Sequence, residues 1–214
     1  MRTFIRPLAA LVSALALVST PLMAQEEACE PTPPAELGEQ TVNTVLDQLT
    51  ERRDEFKKNP QALYAMIERE LVPLVDLERM SELVLGKHAE DASDEQIDRF
   101  AQAFKQMIIQ TYGNALYGFD DEQIEFQPVD APEDATDITF QAVVITEEGD
   151  RIPVDMDMHL VDCQWKIYDG SIGNLSFVTN YRGQFNAQIR AGGLDALIEK
   201  MERRYGGGVS DPAQ

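Results

Sequence analysis

The sequence predicts an α+β protein, with a curled antiparallel sheet of about four strands packed against about six helices and enclosing an apolar cavity. Three observations carry this. Ile152, Val154, Met156, Met158 and Leu160 alternate with Arg151, Pro153, Asp155, Asp157 and His159, the period of a half-buried strand. Cys163, Trp165 and Ile167 repeat that alternation against Gln164, Lys166 and Tyr168, and Asp162-Cys163 leaves room only for a tight antiparallel hairpin. The period then lengthens, and Leu175, Val178, Arg182, Phe185 and Ile189 recur at helical spacing with Tyr181 beside them. Helices come first, then a strand meander, then helices again, so the βαβ alternation of parallel nucleotide-binding sheets is absent.

The chain opens with Arg2 and Arg6, an apolar run from Leu8 to Val18, and Pro21-Leu22-Met23-Ala24. A basic start, a short hydrophobic core and a small residue at the cut describe a secretory signal peptide over residues 1–24. The run falls short of the roughly 20 apolar residues a membrane-spanning helix requires. Residues 25–35, with Pro31, Pro33 and Pro34 among acidic neighbours, read as a flexible leader; a single domain follows over 36–205, and 206–214 reads as a flexible tail.

Within the domain, Val42, Val45, Leu46, Leu49 and Phe56 mark a first helix stopped at Asn59-Pro60. Pro60 suits the first turn of a second, with Leu63, Ile67 and Leu71 inward and an end near Pro73. Asp76 caps a short third helix holding Leu77, Met80, Leu83 and Val84, and Gly86 stops it. Ser93 with Gln96 is a capping box opening a fourth, which runs through Phe100, Phe104, Met107, Ile108, Thr111 and Ala115. Strands follow from Ile124 to Val129 and from Ile138 to Glu147, then the hairpin, then two helices divided at Gly192-Gly193.

Composition narrows the function. The formal charge is −20, and loss of the two leader arginines takes it to −22. Such a surface repels nucleic acid and anionic headgroups and keeps a protein monomeric. His88 and His159 are the only histidines and stand in no metal-ligand spacing. The polar row of its strand makes His159 an exposed side chain, and Asp155 and Asp157 a solvated face. There is no nucleophile elbow, phosphate loop or His-Glu-x-x-His, so no catalytic residue, metal or cofactor is expected. Cys29 and Cys163 are the only cysteines. In an exported chain they admit a disulfide, while the inward place of Cys163 on its strand equally suits a buried free thiol.

Several segments resemble the MlaC family, whose members are also called toluene-tolerance or auxiliary transport proteins. They are Asp76-Leu77-Glu78-Arg79-Met80 through Val84-Leu85-Gly86-Lys87-His88, the Ser93–Phe104 helix, Trp165-Lys166-Ile167-Tyr168-Asp169, and Asn180-Tyr181-Arg182 with Gln184-Phe185. The match runs in order from about Thr41 to Tyr205. Ala89-Glu90 stands where the family often shows a Trp-Arg pair. The resemblance implies a periplasmic carrier that shuttles phospholipid between inner- and outer-membrane complexes and so maintains outer-membrane lipid asymmetry. It also implies partners: an inner-membrane MCE-type ABC transporter complex and an outer-membrane lipoprotein–porin complex. The phospholipid is cargo, its tails lying between sheet and helices. Candidate lipid-binding residues are Phe100, Phe104, Met107, Ile108, Tyr112, Val154, Met156, Met158, Trp165, Ile167, Val178, Tyr181, Arg182, Phe185 and Ile189. Arg182 suits a lipid phosphate or a structural ion pair. An exported chaperone binding peptides on the same apolar surface is the competing expectation.

Overall fold

The computed structural model describes residues 30–118, 123–129, 132, 134–146 and 148–206. The expected signal peptide, Cys29 and nearly all of the expected tail lie outside these residues. Among them, seven α-helices accompany one open five-stranded antiparallel sheet in the order β1-β2-β3-β4-β5. The strands are β1 Gln123–Phe126, β2 Asp137–Ile145, β3 Arg151–Val161, β4 Gln164–Ile172 and β5 Leu175–Ser176. The helices are α1 Pro34–Glu51, α2 Arg53–Lys58, α3 Pro60–Glu70, α4 Leu77–Leu85, α5 Asp94–Tyr112, α6 Phe177–Gly192 and α7 Leu194–Tyr205.

Local chemistry sets the helix ends. Pro34 and Pro60 occupy the first turns of α1 and α3, where the missing N–H is no loss. At α5 both halves of the capping box form, the Ser93 hydroxyl accepting from the Gln96 N–H at 3.2 Å and the Gln96 side chain accepting from the Ser93 N–H at 3.0 Å. Asp76 Oδ1 accepts from the Arg79 N–H at 2.9 Å to cap α4, and Gly86, at φ +56°, ends it in a conformation costly to a residue with a Cβ.

The structure revises four details. The first expected helix is two, α1 and α2, interrupted at Arg52, and α1 begins at Pro34, inside the segment read as a loose leader. Cys163 lies in the β3–β4 turn with Asp162, at φ +63° and +48°, not on the inward row of a strand; the two positive angles match the twist of a tight hairpin. Cys163 is disulfide-bonded. Leu175 belongs to β5 and is exposed, because Ser176 caps α6 and the helical period starts only at Phe177.

His159 is the fourth. It is not an exposed histidine but sits under the N-terminus of α4. Arg79 has only N–H groups to offer, so Nδ1 of the ring accepts from it and Nε2–H donates to Asp76 Oδ2 at 2.8 Å. The Arg79 guanidinium lies 4.0 Å from the centre of the Tyr168 ring. Asp76 therefore satisfies a helix end and a histidine at once. Asp76→Ala is expected to cost about 2–3 kcal/mol, a lost cap plus an orphaned ring N–H, read from the urea midpoint.

Three apolar clusters divide the interior. In the largest, Val84 and Leu85 of α4, Phe100, Phe104 and Met107 of α5, Val178, Tyr181, Phe185 and Ile189 of α6, and Leu197, Ile198 and Met201 of α7 close an all-helical layer. A second joins α1, α2 and α3, with Ile109 of α5. The third lies on one face of the sheet, around Ile138, Phe140, Met158 and Trp165, with Ala35 and Leu37 of α1 against it.

Candidate functional site, an apolar slot between sheet and helix

Residues paired across strands share a face. Phe126, Ala142 and Val154 stand in one such row, Phe140 and Met156 in the next, and Ile138, Met158 and Ile167 in a third. All are apolar, and together they would have to be covered. Over part of this face the covering is incomplete. A cavity of about 340 Å³ lies between the sheet, the first half of α1 and the segment 71–75 that connects α3 to α4. The sheet lends Ile124, Phe126, Phe140, Ala142, Val144, Val154, Met156, Met158 and Ile167; α1 lends Pro34, Leu37, Gly38, Thr41 and Val42; the connection lends Leu71, Leu74 and Val75. No charged side chain lines it.

Two sequence features hold this slot open. α1 changes partners along its length: Leu37, Gly38, Thr41 and Val42 face the slot, while Val45 and Leu49 bury in the second cluster. One end of the helix is thus anchored while the other spans the sheet. Gly38 lets it pass close, since a Cβ there would lie 2.9 Å from Phe126 Cε1 and 3.2 Å from Phe140 Cε1. Gly38→Val should therefore lower the melting temperature, although a mid-helix glycine ordinarily costs about 1 kcal/mol.

The connection 71–75 is pinned to the free edge of β4. Val75 bridges Ile167 in parallel, and the Asp76 N–H donates to the Ile167 carbonyl at 2.9 Å. On its other side lies a second apolar cavity of about 260 Å³, lined by α3, α4 and α5, which shares Leu71 and Val75 with the slot. A wall one segment thick separates the two.

Of the candidate residues, Val154, Met156, Met158 and Ile167 meet in the slot, and Phe104, Ile108 and Tyr112 line the second cavity. Phe100, Met107, Val178, Tyr181, Phe185 and Ile189 do not reach either one. They are at most 8 % exposed and pack on one another in the helical layer. Trp165 borders a separate, more polar hollow near the β3–β4 turn. Arg182 lies on neither cavity: its Nε donates to the Leu83 carbonyl at 2.6 Å, and its stem lies along Gly86, so it closes the C-terminus of α4. The Tyr181 hydroxyl meets that of Tyr112 at 3.0 Å, and burial pushes its ionisation well above the ordinary phenol range.

Of the slot residues on α1 and in 71–75, only Val42 and Leu71 stood in a readable apolar row, and none was a candidate for the site. The α1 face is broken by Gly38 and Thr41, two of its five positions, and the connection has no period to read. The β2 wall was detectable, because Ile138, Phe140, Ala142 and Val144 alternate as the hairpin strands do.

A sheet with one face roofed by a single helix and a tethered connection, around an apolar gap, has the shape of a container for hydrocarbon. Comparison with known proteins agrees. Residues 39–203 match the family model described as MlaC protein, and the chain belongs to that family. The toluene tolerance protein ttg2D of Pseudomonas putida is 26 % identical over 182 residues, covering 85 % of this chain and 83 % of its own. The intermembrane phospholipid transport system binding protein MlaC of Haemophilus influenzae is 25 % identical over 197 residues, covering 88 % and 90 %. A solved phospholipid-binding protein from Ralstonia solanacearum, in complex with a phospholipid, superposes with a TM-score of 0.72 at 25 % identity, covering 80 % of this chain and 96 % of its own.

Proposed function

We propose that this chain is an exported phospholipid carrier that takes lipid from one membrane complex and delivers it to another, between the inner and outer membranes of a diderm envelope. The observation that carries the reading is the slot, a gap walled by hydrocarbon on three sides in a chain with a formal charge of −20. The phospholipid complex of the Ralstonia relative supports the cargo, and the name of the Haemophilus relative supports the transport role. No helix among the described residues is long and apolar enough to cross a membrane.

Magnitudes fit a shuttle. Transfer of a methylene from water gains about 0.8 kcal/mol, so two tails of some sixteen carbons are worth more than roughly 25 kcal/mol against water. The lipid therefore travels only inside protein or membrane. Slot and bilayer are both apolar, so transfer between them is near balance, and direction comes from the docked complexes. The slot also has to grow: a cavity of about 150 Å³ holds one benzene, and about 340 Å³ is far short of two tails. Met156 and Met158, unbranched and readily repacked, suit a wall that closes when empty.

Extraction of the native protein with organic solvent, followed by lipid mass spectrometry, tests the proposal. About one phospholipid per protein is the expected result. Lipid-free protein that instead prevents client proteins from aggregating would establish a chaperone.

A further inference from the structure

The slot has two ends of different character. Towards the β2–β3 turn its wall is Val144 and Val154; towards the β3–β4 turn it reaches Leu37 and Leu74. Those two leucines also wall a hollow of about 290 Å³ whose other sides are Thr32, Pro73, Gln164, Trp165, Lys166 and the disulfide-bonded Cys163. An apolar slot thus abuts a less apolar vestibule across a shared two-residue sill.

Charge singles out one residue there. Three cations stand beside the slot, its vestibule or the second cavity. Arg151, next to Ile152 at the apolar end, is bound to Glu125 at 2.6 Å. Lys105, on the second cavity, is bound to Glu68 at 3.0 Å. Lys166 is different: its Nζ donates to the Pro73 carbonyl at 2.7 Å, and among the described residues it forms an ion pair with no carboxylate. Both partners border the vestibule, and among the described residues two of the three N–H donors are left unused. In so acidic a chain, a cation held at a cavity mouth with no carboxylate partner among the described residues is a place for an anion.

We propose that the vestibule is the headgroup site and that Lys166 binds the lipid phosphate. This rests on the carrier reading above and adds the end by which the cargo enters and the chemistry that recognises it. The tails run from the sill towards Val144 and Val154. The phosphate takes the free donors of Lys166, with the Gln164 and Thr32 side chains beside it. An inorganic phosphate carries the same anionic oxygens but has no tails to fill the slot.

The test is a competition. Protein is incubated with vesicles containing equal amounts of phosphatidylglycerol and of a diacylglycerol with identical chains, re-isolated, and its lipid counted. Comparing variants cancels the unequal hold of the vesicle on the two lipids. Lys166→Gln is expected to lower the ratio of phosphatidylglycerol to diacylglycerol about tenfold, the loss of one charge-assisted contact. Lys166→Arg should keep the wild-type ratio. If Lys166 serves only to tether Pro73, Lys166→Gln changes uptake of both lipids together and leaves the ratio alone, which overturns the proposal. Tight binding of inorganic phosphate by lipid-free protein, lost in Lys166→Gln while the lipid ratio stands, also overturns it. Wild-type protein that takes up neither lipid sinks the carrier reading as well.

Discussion

Val154→Arg should yield a protein that is exported and folded but carries at least tenfold less phospholipid than the wild type. Val154 lies mid-sheet on the slot face, paired with Ala142 and Ile172, and is only partly buried. In the empty protein a guanidinium there can lay its stem along Phe126 and Met156 and keep its head in the gap, where water reaches it. With acyl chains in place the charge has neither water nor counter-ion, a penalty of several kcal/mol that falls on the loaded state alone. The measurement is bound lipid per protein by mass spectrometry, with circular dichroism as the control for folding. Unfolded protein would show that this region is ordinary core, and undiminished lipid would place the tails elsewhere.

The opposite pattern is expected of Phe100→Ala. Phe100 has no exposed surface, stacks on Phe104 at 5.6 Å between ring centres and meets the Phe185 ring edge-on at 5.7 Å. Truncating such a ring leaves a cavity the helical layer cannot close, at a cost of about 3–5 kcal/mol. For a domain of this size that is a fall of roughly 10 °C or more in the melting temperature. Bound lipid in the folded fraction should stay at the wild-type level, because Phe100 lines neither cavity. Calorimetry and lipid counts on the same preparation separate the two effects. A stable Phe100→Ala protein stripped of lipid would extend the binding site into the helical layer.

These two residues looked alike in the sequence. Both are apolar, both stand on a buried face at the correct period, and both were candidates for the same cavity. The caps at Ser93 and Asp76, the stop at Gly86 and the break at Gly192-Gly193 were legible because capping and termination depend on residues within four positions of one another. β5 was missed for the converse reason: two residues are too few to show a period, and Leu175 extends the helical row of α6 by chance. His159 was misplaced because its partners, Asp76 and Arg79, lie about eighty residues away.

Periodicity is a property of one segment, and it settled the apolar face of the longer strands and of most helices. It also settled the order of elements and the sheet's antiparallel sense. Which apolar faces meet, and where they fail to meet fully, depends on how three separate stretches pack. α1 had to anchor its second half among α2 and α3 before its first half could bridge the sheet. The 71–75 connection had to be tied to β4 before it could become a wall. A void is the residue of that packing and not of any one segment's pattern. The slot was therefore visible only once the chain had folded.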